Sequence, residues 1–232
     1  MKKVHYYFGW FNGTTPEQVA ESLHRDIPSK KSLVIINTVP SEYEDNDEMV
    51  CFTKNTWFEP AGLIFDKYHS IDYRINKEGA KELLRNASAI LLHGGHPDSL
   101  KDFLAEYELA EAIRESSAAV VMGASAGGMN MSAKFVYGKR IDDDNSESCK
   151  IYDGLGFNNF ALVSHALCDI ETLAENENTR NNLLPLSQSI DVYVACEEST
   201  IRIKDGRFEV MGDVYLISKS KIQKVKESAF IS

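Results

Sequence analysis

Ala118-Ala119-Val120-Val121-Met122-Gly123-Ala124-Ser125-Ala126-Gly127-Gly128-Met129-Asn130-Met131 joins a short apolar run to a Gly-Ala-Ser-Ala-Gly turn, and small and apolar residues of helical character follow. That order reads as a buried strand, a sharp turn carrying a serine, and a helix beginning directly after it. Gly123 and Gly127 allow the tight turn and close packing of strand on helix. The Ser125 hydroxyl then projects from the turn beside the unpaired N–H groups and dipole of the helix start, the environment that a developing oxyanion needs. The stretch alone reads equally well as a capping serine in a glycine-rich turn.

Outward from it, strands and helices alternate. Val4 to Phe8 is a β-branched and aromatic run. Thr14-Thr15-Pro16-Glu17 predicts a helix start with Thr15 as N-cap and Pro16 at the first helical position. Ser32 to Asn37 is a continuous apolar strand of the kind buried on both faces. The acidic run Glu42 to Glu48 reads as a solvated loop or a first helical turn, and Met49 to Phe58 as helix limited by Pro60. Tyr68 to Arg74 reads as strand and Asn76 to Arg85 as helix. Ser88 to Leu92 is a strand that ends in His93-Gly94-Gly95-His96-Pro97. One helix is predicted from Pro97 to about Arg114, with Leu100, Phe103, Leu104 and Tyr107 on one stripe. The alternation predicts an α/β fold in three layers, a mostly parallel sheet with helices on both faces. Beyond residue 130 the texture changes. Phe160 to Ser164 and Asp191 to Ala195 read as strands around a helix near Thr179 to Leu186. Thr200–Lys204 and Arg207–Val210 make a hairpin through Asp205-Gly206, and Val214 to Ser218 a last strand.

The 232 residues predict a single domain spanning 1–232, and 43% hydrophobic with 26% charged residues is the composition of a globular protein. A net charge of −10 and a pI near 5.1 exclude the basic face of a nucleic-acid binder. No run approaches the apolar length of a transmembrane helix, so no membrane partner is expected. Cys51, Cys149, Cys168 and Cys196 are scattered without a C-x-x-C pair, and the N-terminus lacks a signal-peptide pattern. Both point to reduced thiols and a cytoplasmic protein. Oligomeric partners are left undetermined.

Three features raise Ser125 above a turn residue. Gly94-Gly95 closes the strand preceding the serine's own. Parallel strands bring both turns to one sheet edge, where open α/β sheets bind ligands. An N–H from Gly94 or Gly95 together with that of Ala126 then makes a two-donor oxyanion hole. His165, at the end of Ala161-Leu162-Val163-Ser164, is the only histidine after Ser125, and its place fits the chain order serine, acid, histidine. Between them lie Asp142, Asp143 and Asp144, any of which offers the carboxylate, with Glu147 and Asp153 weaker. A lipase-type α/β-hydrolase is disfavoured. Ser125 follows Gly95 by only 30 residues, room for one helix and one strand, and several elements follow His165.

The Gly-Gly turn, the Gly-Ala-Ser-Ala-Gly elbow, Leu162-Val163-Ser164-His165, Asn178-Thr179-Arg180 and the closing hairpin together resemble the peptidase E group of serine hydrolases. That group comprises aspartyl dipeptidases and cyanophycinases on a class I glutamine-amidotransferase-like fold. The resemblance implies Ser125 as nucleophile, His165 as its base and Asp142, then Asp143, as the best-fitting acid. It implies His96 and Arg180 as substrate-binding positions, with Arg180 suited to a substrate carboxylate. The chain departs from the group at His96, where Asn, Asp or Gln is frequent, at Asn178, which replaces the acid of a Glu-Thr-Arg segment, and at Gly128 and Met129. The implied activity is a dipeptidase-type serine peptidase acting on a small peptide, with cleavage after an N-terminal aspartate in question because of Asn178. Neither metal nor organic cofactor is expected. The alternative is a catalytically silent binding or sensor protein on the same fold. Glutaminase activity is disfavoured, since amidotransferases carry cysteine at the elbow.

Overall fold

The computed structural model describes residues 3–138, 149–164 and 169–226. In chain order, β1 is Val4–Phe8, α1 Glu17–Asp26, β2 Ser32–Ile36, and α2 Tyr43–Phe52, which runs on into a π-helical turn at Thr53–Phe58. β3 (Lys67–Ile71), α3 (Lys77–Arg85), β4 (Ala89–Leu92), α4 (Pro97–Glu106), α5 (Leu109–Glu115) and β5 (Val120–Ala124) follow. After β5 come α6 (Ala126–Met131), β6 (Ser132–Tyr137), β7 (Lys150–Asp153), β8 (Asn158–Ser164) and α7 (Ile170–Glu175). A second π-helical turn, Thr179–Leu183, leads through α8 (Leu184–Leu186) to β9 (Val192–Ala195). The chain closes with β10 (Thr200–Lys204), β11 (Arg207–Met211), β12 (Val214–Ser218) and β13 (Lys221–Lys224).

The strands form two mixed sheets. The seven-stranded one has the order β11-β10-β1-β5-β4-β2-β3, and its five strands from β1 to β3 are mutually parallel. Their apolar runs alternate between two cores, as the period of a strand requires. Tyr6, Phe8, Leu33, Ile35, Leu91 and Met122 face one core with Trp57 and Phe58. Tyr7, Val34, Ile36, Ile90, Leu92 and Val121 face the other, shared with α3 to α5 and with Phe160, Leu162 and Tyr193 of the second sheet. This is the three-layer α/β architecture that the alternation predicts. The six-stranded sheet, β13-β12-β9-β8-β6-β7, was not separable in the sequence. Its β6 starts with no intervening loop after α6, so the elbow helix is a short bridge between the sheets.

Several local expectations are corrected. Thr15 does not cap α1: Pro16 stands at that position, and the Thr15 hydroxyl donates instead to the Trp57 carbonyl at 2.8 Å. The single helix from Pro97 is two helices, broken where Glu108 adopts φ 55. The break shifts the apolar phase, so that Leu104 and Tyr107 before it and Leu109 and Ile113 after it all reach the same core. Val214–Ser218 is not the last strand, since β13 returns along it through Lys219 (φ 48) and Ser220 (φ 61). Cys51 and Cys149 are free, but Cys196 is disulfide-bonded, against the expectation of uniformly reduced thiols. No helix among the described residues is long and apolar enough to cross a membrane.

Candidate active site

The end of β5 delivers Ser125 to the elbow. Its N–H donates to the Phe8 carbonyl (3.1 Å) and its own carbonyl accepts from Met129 N–H (2.9 Å), so the turn is clamped between β1 and α6. Ser125 has φ 48 and ψ −113, a backbone conformation that costs of order 1–3 kcal/mol and persists only where its surroundings enforce it. Alone among residues 120–132 it is not buried. Close packing enforces the turn: a Cβ on Gly127 would stand 1.9 Å from the Leu92 carbonyl oxygen, so only glycine lets α6 rest on β4.

The Gly94-Gly95 turn lies directly beside it. A Cβ on Gly94 would stand 3.4 Å from Ser125 Cβ and 2.6 Å from the Trp10 ring, which places the glycine between the serine and an aromatic wall. Three tethers hold this loop. The Thr38 hydroxyl donates to the Gly94 carbonyl at 3.2 Å. The amide of buried Asn130 donates to the Pro97 carbonyl (2.9 Å) and to the Ala126 carbonyl (3.0 Å), coupling the loop to the elbow helix. The third tether is His93, whose Nδ1 accepts the Gly94 N–H at 2.8 Å.

His93 is buried, and its tautomer follows from its partners. The Thr53 hydroxyl gives its proton to the Met49 carbonyl (2.8 Å), so toward His93 Nε2 at 3.0 Å it can only accept. The ring therefore carries its proton on Nε2 and offers the Nδ1 lone pair to Gly94. Burial pushes the pKa of His93 down to about 4, in keeping with a neutral ring. The imidazole stacks on Trp57 (5.4 Å, 8°), and Trp57 meets Trp10 edge-on, with half-buried Phe52 stacked on Trp10 at 6.1 Å. The Gly94 N–H is taken by His93, whereas the N–H groups of Gly95 (φ 137) and Ala126 make no backbone hydrogen bond outside helices and strands among the described residues.

The other residues singled out in the sequence divide clearly. His96 sits exposed at the start of α4. Arg180 is exposed on the π-helical turn after α7, its Nε donating to the Ala174 carbonyl at 3.0 Å. His165, Asp142, Asp143, Asp144 and Glu147 lie outside the described residues, and Asp153 is engaged by Lys134 at 2.6 Å. The sequence reading missed His93, Asn130, Thr38 and Trp10. Of these only His93, next to the glycine pair, carried a signal in its position.

The model of Peptidase family S51 matches residues 8–211, a span that runs from the end of β1 through the elbow and β8 to the end of β11. The chain belongs to this family. It is a serine peptidase. Solved structures share its fold. A peptidase from an acI-B1 Actinobacterium superposes with a TM-score of 0.72 at 19% identity, covering 99% of this chain and 96% of that one. A candidate peptidase E protein from Listeria monocytogenes EGD-e superposes with a TM-score of 0.57 at 15% identity, covering 97% and 99%. No curated protein sequence matches the chain. For a serine peptidase of this family, the strained and accessible Ser125 beside the tethered glycine turn is the arrangement that acyl transfer needs.

Proposed function

We propose that this S51 peptidase is a dipeptidase-type enzyme in which Ser125 is the nucleophile, His165 its base and Asp142 the carboxylate that orients the imidazole. The observation that carries this reading is the backbone of Ser125, held at φ 48 as the one accessible residue of its segment, against Gly94. The direction of β8 supports the role of His165. Phe157 N–H donates to the Met131 carbonyl at the C-terminal end of α6, and Gly128, nearer the elbow, packs against Leu162. β8 therefore runs back along α6 toward Ser125, and Ser164, the residue before His165, is its last.

His165 takes the Ser125 hydroxyl proton as Oγ attacks the peptide carbonyl. The tetrahedral oxyanion is met by the N–H groups of Gly95 and Ala126, with Gly94 serving to aim its neighbour through the His93 bond. The proton then passes from His165 to the leaving amine, and water releases the acyl group from Ser125 by the reverse sequence. Trp10 and Phe52 offer an apolar wall to the substrate beside Gly94. Arg180 meets a substrate carboxylate.

Hydrolysis of Asp-Leu, Glu-Leu and Ala-Leu tests this reading. Asp-Leu is cleaved fastest, and Arg180→Met removes the preference. Equal rates across the three overturn the aspartyl specificity, and no cleavage of any of them overturns the dipeptidase reading.

A further inference from the structure

A cavity of about 430 Å³ opens at the opposite end of the seven-stranded sheet, where the strands begin. Val121 contributes to its lining from the start of β5, four residues and ~13 Å of strand from Ser125. Val121, Ile113 and Ile203 are buried beneath the cavity, and half-buried Phe157 is the large apolar side chain at its surface. Lys3, His5 and Arg114 are its basic groups, and Asp205 of the hairpin turn is the single carboxylate in the lining among the described residues.

Among the described residues Lys3 and His5 have no carboxylate partner, whereas Arg114 has Glu111. Lys3 donates to the Ser116 carbonyl at 2.5 Å. His5 Nδ1 bonds Asn158 Oδ1 at 2.9 Å, and the same oxygen accepts from the Tyr7 hydroxyl at 2.7 Å. His5 thus carries its proton on Nδ1, and its Nε2 has no partner among the described residues. Arg114 lies over the Phe157 ring (5.2 Å), bonds the Leu155 carbonyl and reaches Glu111 at 3.6 Å, while His5 also stacks against Phe157 at 5.4 Å. Burial lowers the pKa of Lys3. It lowers that of His5 too, and there the charge of Lys3 adds to the effect. In a chain of net charge −10, a half-buried lysine with no carboxylate partner, next to a half-buried histidine at the same opening, marks a place where an anion is stabilising.

We propose that this cavity is a second binding site, separate from the Ser125 site, for a small carboxylate with an apolar body. The carboxylate pairs with Lys3 and Arg114, and the body rests against Phe157. The volume suits a molecule of this size, and the site asks nothing of the catalytic residues.

Isothermal titration of the full chain with 4-methylpentanoate, 4-methylpentanol and inorganic phosphate tests the assignment. Lys3→Met and Arg114→Met serve as variants, since both keep an aliphatic stem. The carboxylate binds, the alcohol and phosphate bind at least roughly tenfold more weakly, and each variant loses about tenfold in carboxylate affinity. Melting temperatures of the variants near that of the parent chain show that the loss is local. Absence of carboxylate binding, equal binding by both variants, or phosphate binding as tight as the carboxylate overturns the proposal.

Discussion

Two histidines at opposite ends of the same parallel strands have been put to opposite uses. His93, at the end where β4 stops, has both ring nitrogens engaged, lies between Trp57 and Trp10, and has no charged partner among the described residues. His5, at the end where β1 starts, has one nitrogen engaged and Lys3 close enough to lower its pKa. The first is a fixed strut under the glycine turn. The second lines the cavity at the far end of the sheet, beside Lys3. Burial acts on both in the same direction, so it is the completeness of the hydrogen bonding that separates a structural imidazole from one available to a ligand.

The comparison breaks most visibly at His93. His93→Phe keeps an aromatic ring but removes the acceptor for Gly94 N–H, freeing the turn that aims Gly95. The expected result is a fall in kcat of the order of 100-fold with KM little changed, the signature of an interaction made in the transition state. His93→Asn presents an oxygen where Nδ1 stood and recovers part of the loss. Steady-state kinetics on a cleaved dipeptide read both, and a purely structural role predicts equal damage from the two variants.

A smaller effect sharpens the contrast through pH. The folded chain leaves His93 unprotonated until about pH 4, whereas an unfolded histidine takes up its proton near 6.5. Protons therefore favour the unfolded state, and stability falls as the pH drops through this window, by about 1.4 kcal/mol per pH unit for one such group. His5, lowered in the same direction, adds to the slope. Urea unfolding between pH 6.5 and 4.5 should show that slope cut by about one proton's worth in His93→Asn. An unchanged slope would mean that His93 is not the buried neutral ring described above.

Much of the fold was legible because the parallel strands are continuous apolar runs and the helices between them carry clear stripes. The Asp205-Gly206 turn was equally plain, since both residues take positive φ and glycine marks such a turn. The β12–β13 turn makes the same demand of Lys219 and Ser220, neither a usual turn signal, and so β13 went unread. The break at Glu108 was hidden for the same reason. In the site, Ser125 and the two glycines announced themselves by spacing. The tethers did not. Asn130, Thr38 and Trp10 act through contacts between β1, β2, α4 and α6 that no local pattern records. The proposed division of labour between Gly94 and Gly95 depends on one hydrogen bond to an imidazole whose tautomer is set by Thr53, in the π-helical turn after α2.

The central claim, that Ser125 is the nucleophile, is tested most directly by treating the folded chain with a fluorophosphonate and locating the adduct by peptide mass mapping. The account predicts stoichiometric modification on Ser125, lost in Ser125→Ala and on unfolding in urea. An unmodified Ser125 in folded, peptide-cleaving protein, or an adduct on another residue, would contradict it.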